Sequence, residues 1–187
     1  MEEIITALQN WESVRNQPSE LIALFENKSG FELNMSLFPA GVPLHAYAAI
    51  KDGELGFYVI SEANDVNSPM AVLSENCHWC PCIPEKNQQI PEEEALLRIG
   101  FWQNGFEQWL NDIVATPFGM YQTFHIPTTG LQPINYNALF ALKNNPITPA
   151  IKAADLVLSN NAGVYFDTIH GQPPYRDREK YYILDLL

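Results

Sequence analysis

The stretch that decides the fold runs from Leu44 to Ser61 and reads LHAYAAIKDGELGFYVIS. Its centre, Asp52-Gly53, suits the positive φ angles of a type I′ turn, and the runs on both sides alternate. Such a turn fixes the register of the two strands. The predicted pairs are Lys51 with Glu54, Ile50 with Leu55, Ala48 with Phe57, Ala46 with Val59, Tyr47 with Tyr58, and His45 with Ile60. Because both faces are largely apolar, we expect this hairpin in the middle of a sheet or in the wall of a pocket.

Helical periodicity appears on both sides of the hairpin. Residues 2–26 predict two short helices interrupted by Pro18, and Pro91 to Ala115 predicts the longest helix, with acidic residues in its first turn. Its apolar stripe consists of Ala95, Ile99, Trp102, Phe106, Trp109 and Ile113. A short helix is also expected over 133–143, and the final segment 177–187 fits either a helix or a strand.

Alternation predicts further strands over 31–38, 118–126, 155–159 and 164–169, whereas 65–90 shows no period. These patterns predict one α+β domain spanning 1–187. We expect an antiparallel or mixed sheet of about five strands, with the long helix (about 91–115) and the N-terminal helical segment packed on it.

The net charge is −12, although only 17% of the residues are charged. Because the few Lys and Arg residues form no cluster, phosphate backbones and anionic membrane surfaces are not expected as partners. The chain has no apolar run of about 20 residues, and the segment MEEIITALQNWE is acidic where a secretory signal would be basic and apolar. We therefore expect a soluble, cytoplasmic protein with no nucleic-acid or membrane partner.

The densest group of reactive side chains is the hexapeptide CHWCPC at 77–82. Thiolates two and four positions apart in a loop can converge on one soft ion, which makes zinc the candidate cofactor, either of a zinc-binding protein or of a metal-dependent enzyme. Its candidate ligands are Cys77, Cys80, Cys82 and His78, with other histidines as a possible fourth ligand through the fold. Free thiols that pack in a loop are the alternative, and a cysteine nucleophile that uses a nearby histidine is a further one.

Large aromatic side chains on the long helix and on the strands suggest a concave apolar site. The candidate ligand-binding residues are Tyr47, Tyr58, Trp102, Trp109, Tyr121 and His125. The leading hypothesis is therefore a non-catalytic binding module for a small apolar or aromatic ligand or for a partner protein. A core without a cavity is the competing interpretation of the same aromatics.

Acid–base chemistry is the remaining hypothesis. His125 and the pair Asp167 and His170 each lie near a predicted strand end, where catalytic residues often occur, so a metal-free enzyme is possible. Turn formation explains the same residues more simply. The chain contains no phosphate-binding glycine loop, no Gly-x-Ser-x-Gly elbow and no dinucleotide fingerprint.

Overall fold

The computed structural model describes residues 1–84, 93–116, 119–128, 131–144, 151–160, 165–166, 170–172 and 181–187; at 83, 84 and 170–172 it describes the backbone alone. These residues form four α-helices, α1 (Glu2–Val14), α2 (Pro18–Phe25), α3 (Met70–Asn76) and α4 (Glu93–Val114), and two 3-10 helices, Met35–Leu37 and Tyr182–Leu186. None of the described helices is long and apolar enough to cross a membrane.

The strands belong to one antiparallel sheet. They are β1 (Lys28–Asn34), β2 (Leu44–Lys51), β3 (Glu54–Ser61), β4 (His78–Pro84), β5 (Thr123–Ile126), β6 (Asn135–Lys143), β7 (Ala153–Asn160), β8 (Tyr165–Phe166) and β9 (His170–Gln172). Their order across the sheet is β8-β7-β6-β1-β4-β3-β2-β5-β9. Because β9 at one end contacts β7 near the other, the sheet curls around its inner face. The predicted α+β class is confirmed, but nine strands replace the expected five or so.

The predicted hairpin is confirmed residue by residue. β2 and β3 pair from Leu44 with Ser61 to Lys51 with Glu54, in the register that the turn predicts. Asp52 has a φ of 52° and Gly53 a φ of 81°, as a type I′ turn requires. The hairpin lies between β4 and β5, and both of its faces are buried.

The inner face of the sheet holds the main core. Phe31, Phe57 and Phe140 come together there with Phe25 of α2 and Trp102 of α4. A second cluster covers the outer face of the hairpin. It contains Ile4, Ala7, Leu8, Tyr47, Ala49, Tyr58, Ile60, Leu73, Cys77, Tyr181, Ile183 and Leu184. The hairpin is therefore packed on one side by the core and on the other by α1, α3 and the segment 181–187.

An ion-pair network connects α4 to the sheet. The side chain of Asp155 on β7 is fully buried, with Arg98 Nη1 at 3.0 Å and Lys143 Nζ at 2.8 Å from its two oxygens. Arg98 also contacts Glu94 one turn earlier on α4. Since two cations neutralise one buried carboxylate, this network anchors α4 against β6 and β7.

The prediction of a helix over 133–143 is wrong, because this segment forms strand β6. Tyr136, Ala138 and Phe140 face the inner core, while Leu139 and Ala141 belong to a separate buried cluster with α4. A strand that is apolar on both faces has no alternation, so its pattern resembles that of a buried helix.

The expectation that 65–90 lacks regular structure is also wrong for most of the described part, which contains α3 and β4. Pro81 lies inside β4 opposite Gly56, whereas prolines usually indicate the absence of a strand. The predicted strand 31–38 ends at Asn34, whose side chain accepts from the backbone N–H of Ser36 and starts a 3-10 turn instead.

Several other boundaries differ from the expectations. The strand predicted over 118–126 is limited to β5, and the strand over 155–159 is confirmed as β7. Only 165–166 of the strand predicted over 164–169 are described. The final segment forms a 3-10 helix, while 177–180 and the predicted helix start at 91–92 lie outside the described residues.

Candidate functional site

Two histidines and a glutamate meet at one end of the strands β2, β3 and β5. His45 of β2 is directly opposite His125 of β5 and, on its other side, opposite Ile60 of β3. Glu62 lies two residues beyond Ile60, so the alternation of a strand returns its side chain to the face that carries His45. The N–H of Glu62 donates to the carbonyl of Pro43 at 2.8 Å, which continues the pairing past the end of β3.

The side chains of this group are close enough to share one ion. One ligand atom from each of His45, Glu62 and His125 lies within 4.8 Å of the other two, and His125 Nε2 is 3.8 Å from Glu62 Oε2. The His45 side chain is 1% exposed, whereas the side chains of His125 and Glu62 are 26% and 40% exposed. The group is therefore buried on the side of His45 and open to solvent on the other.

Asp65 contacts His45 from the buried side of the group and orients its ring. Its fully buried carboxylate is 2.6 Å from His45 Nδ1 through Oδ2, and the same oxygen accepts from the Tyr47 hydroxyl. The other oxygen, Oδ1, accepts from the backbone N–H of Ile183 at 3.1 Å. A tight turn after β3, in which the Asp65 N–H donates to the Ser61 carbonyl at 3.0 Å, brings this carboxylate back under the hairpin.

These contacts determine which nitrogen of His45 is available. Because a carboxylate only accepts hydrogen bonds, it holds the imidazole hydrogen on Nδ1 and leaves the lone pair on Nε2. Burial, and then the charge of Asp65, raise the pKa of the Tyr47 hydroxyl well above its ordinary value of 10.0, so Tyr47 remains a donor. His45 is thus set up as a metal ligand or as a base.

The segment 181–187 closes the buried side of the group. The Tyr181 ring lies 4.3 Å from the His45 ring between centroids, with a tilt of 40°. Ile183 is fully buried in the outer cluster, and the Tyr182 hydroxyl donates to Asn67 at 3.0 Å. Residues far apart in the chain therefore complete the surroundings of His45.

The four metal ligands predicted in 77–82 are not brought together. Cys77 belongs to the outer cluster, while Cys80 and Cys82 project into the inner core, on the other side of the sheet. His78 packs edge-on against Phe38 at 5.3 Å. Among the described residues, only His45, Glu62 and His125 form a group of three potential metal ligands within 4.8 Å.

All three thiols are free and buried. Burial raises the pKa of each of them, that of Cys80 to about 12, with a smaller contribution from the charge of Glu32. The raised pKa values keep these cysteines protonated near neutral pH. Because the thiolate is the form that attacks electrophiles and binds metals, the protonated cysteines are unreactive.

The six candidate ligand-binding residues fall into three places. Tyr47 and Tyr58 lie in the outer cluster, Trp102, Trp109 and Tyr121 lie with the inner core, and His125 lies at the histidine group. The space enclosed beside Trp102 and Tyr121 is about 10 Å³, which is the room of a single water molecule. An open groove of about 780 Å³ runs along α4, with Leu96, Phe101 and Lys152 in its lining.

The predicted acid–base pair, Asp167 and His170, is described only in part. Asp167 lies outside the described residues. The backbone of His170 on β9 pairs with that of His125 on β5, and its side chain is not described.

Comparison of this chain with protein-family models, with curated proteins and with solved structures finds no match. The function must therefore be inferred from the site itself.

Three site residues, His45, Glu62 and Asp65, are absent from the candidate residues named above; His45 enters there only among the other histidines considered for the cysteine loop. A signal for Glu62 existed: the hairpin register, extended by one residue past Ser61, places it beside His45 and on the same face. No comparable signal marks Asp65, because its position depends on the turn that follows β3 and on the distant residue Ile183.

Proposed function

We propose that this protein binds a divalent transition-metal ion, with zinc as the first candidate, through His45, Glu62 and His125. The observation that carries the proposal is the convergence of these three side chains around a histidine whose Nδ1 is held by a buried carboxylate. A carboxylate behind a histidine is the usual arrangement of metal-binding histidines, because it fixes the ring and raises the basicity of the ligating nitrogen.

The donor set favours zinc or a neighbouring transition metal over calcium or magnesium. Two imidazoles and one carboxylate suit ions of intermediate softness, whereas calcium and magnesium prefer oxygen ligands alone. Ligands at about 2.1 Å from a tetrahedral zinc lie about 3.4 Å apart. His125 Nε2 and Glu62 Oε2 are 3.8 Å apart, so a small movement of the half-exposed Glu62 side chain would bring these two atoms to the spacing of zinc ligands.

Three protein ligands with one solvent-facing side correspond to a catalytic type of site rather than a closed structural one. The fourth position of such a zinc ion holds water, whose pKa the metal lowers toward neutrality. The solvent exposure of Glu62 and His125 would let water reach that position. Metal-assisted hydrolysis is accordingly the class of reaction that the proposed site would support.

The test is a calorimetric titration of chelator-treated protein with zinc, which measures the affinity. Elemental analysis of the dialysed, zinc-loaded protein then gives the number of ions per chain. We expect one zinc per chain. His125→Ala and Glu62→Gln should each weaken binding by at least ~10-fold, because each removes one of three ligands. His78→Ala is the matched control, since this histidine packs against Phe38 and lies outside the group.

Cobalt substitution separates this site from the alternative zinc site at Cys77, Cys80 and Cys82. A cobalt complex with nitrogen and oxygen ligands lacks the intense sulfur-to-metal charge-transfer bands of a thiolate complex. We expect no such bands in the cobalt-substituted protein. Charge-transfer bands that disappear in Cys80→Ser would contradict the proposal and favour the cysteine site.

The hypothesis of a binding module for an apolar ligand or a partner protein stays a prediction. The groove along α4 is one described surface that could serve such a function, because Leu96 and Leu97 are 47% and 56% exposed there.

A further inference from the structure

We infer that the segment 181–187 is a positioning element of the proposed metal site, and that its docking and metal binding reinforce each other. The inference rests on the proposed function, and it concerns how that site is held and regulated. Asp65 connects the segment to the site. One oxygen of its carboxylate hydrogen-bonds His45, and the other accepts from Ile183, 118 residues farther along the chain.

The contact with Ile183 has a simple structural origin. The first N–H groups of any helix have no partner within the helix, and Tyr181 provides no side-chain cap for the 3-10 helix Tyr182–Leu186. Asp65 Oδ1 accepts the Ile183 N–H at 3.1 Å and so caps this helix from a distant part of the chain. Docking of the segment is thereby tied to the orientation of one carboxylate.

The same carboxylate determines the orientation of His45. If the segment separates, Oδ1 loses its buried donor and the Tyr181 ring no longer packs on the imidazole. The carboxylate is then free to turn and to hydrate, so the His45 ring is held less firmly beside Glu62 and His125. The group should therefore bind metal more weakly when the segment is detached.

The coupling must act equally in both directions. If docking increases metal affinity by a certain factor, metal must increase the docking equilibrium by the same factor. Removal of a hydrogen-bond partner behind a metal ligand typically lowers metal affinity by about 10–100-fold. We take the lower end, about 10-fold, because the Ile183 N–H is one step farther from the metal than Asp65.

The first experiment compares zinc affinity in two variants of the full chain. Ile183→Ala and Ile183→Pro both remove the branched side chain, but only the proline lacks the N–H that Asp65 accepts. We expect zinc to bind the proline variant about 10-fold more weakly than the alanine variant. Equal affinities would overturn the inference while leaving zinc binding by the wild-type protein, and hence the proposed function, intact.

The second experiment uses the unaltered protein, so it holds even if Ile183→Pro does not fold. Amide hydrogen exchange at Ile183 is measured without zinc and at saturating zinc, with the amide of Phe140 in the inner core as reference. We expect zinc to slow exchange at Ile183 by about 10-fold, the factor that reciprocity requires. An unchanged exchange rate at Ile183 in zinc-saturated protein would overturn the inference. Failure of the wild-type protein to bind zinc would overturn the proposed function, and the inference with it.

Discussion

Asp65→Asn should lower both the stability of the protein and its affinity for metal. The substitution keeps the shape of the side chain but turns one acceptor oxygen into an NH₂ donor. If the amide oxygen keeps the Ile183 N–H, the NH₂ group faces His45 Nδ1 and the Tyr47 hydroxyl. His45 Nδ1 can accept a hydrogen bond from this NH₂ group only in the opposite tautomer. That tautomer carries its hydrogen on Nε2, where the metal would bind.

The magnitudes follow from the three hydrogen bonds that Asp65 accepts. A hydrogen bond to a charged group contributes about 1 kcal/mol more than a neutral one, so the loss of charge lowers the free energy of unfolding by at most about 3 kcal/mol. Relief from burying a charge offsets part of this loss. Zinc affinity should fall by about 10–100-fold, because His45 must first return to the metal-binding tautomer.

Asp155→Asn is the matched control. Its carboxylate is as deeply buried and pairs with Arg98 and Lys143, but it belongs to the network on α4 and β7. Urea unfolding of both zinc-free variants and zinc calorimetry of both folded proteins give the comparison. Both should lose stability, and only Asp65→Asn should lose zinc affinity. If Asp65→Asn bound zinc as tightly as the wild type, the role assigned to Asp65 behind His45 would be refuted.

Three further predictions concern the rest of the molecule. Burial raises the pKa of the three thiols above the ordinary value of 9.0, so the unfolded chain releases their protons first as the pH rises. The contribution of the thiols to stability in urea should therefore be constant below about pH 9 and fall above it by about 1.4 kcal/mol per pH unit for each thiol; an equally steep fall in Cys82→Ala would contradict this origin. The same thiols should resist a water-soluble alkylating reagent at pH 8 until the protein unfolds, and rapid labelling of the native protein would show that they are not buried. Gly30→Ala should destabilise the protein severely, because its Cβ would lie 1.9 Å from the backbone oxygen of Ala138. The Cβ of Gly105→Ala on α4 would meet no described atom within 4 Å, so this variant should stabilise the protein by up to about 1 kcal/mol. Thermal unfolding of both variants gives the comparison.

Local signals predicted the fold well where one turn controls the pairing. The register of β2 and β3 follows from Asp52-Gly53, and every predicted pair of the hairpin is found. Segments that are buried on both faces gave no such signal. β6 lacks alternation for this reason and resembles a helix, and β4 has a proline at position 81 in the interior of the sheet.

The candidate site was only partly predictable. His45 and His125 attract attention as histidines on strands, but their contact depends on the pairing of β2 with β5, which are far apart in the sequence. No local pattern specifies the register between such strands. The prominent motif at 77–82 was misleading as a ligand set, because a strand directs Cys80 and Cys82 inward while Cys77 precedes it and packs outside.

The position of β1 in the sheet has a consequence for the synthesis of the protein. β1 is made before both of its neighbours, β4 and β6, and about 100 residues separate the end of β1 at Asn34 from the start of β6 at Asn135. Until the ribosome has released β6, one edge of β1 presents unpaired N–H and C=O groups beside the apolar residues Phe31 and Leu33. The nascent chain therefore passes through a stage at which it can pair with other chains, and yield during expression should depend on how quickly the ribosome moves from β1 to β6.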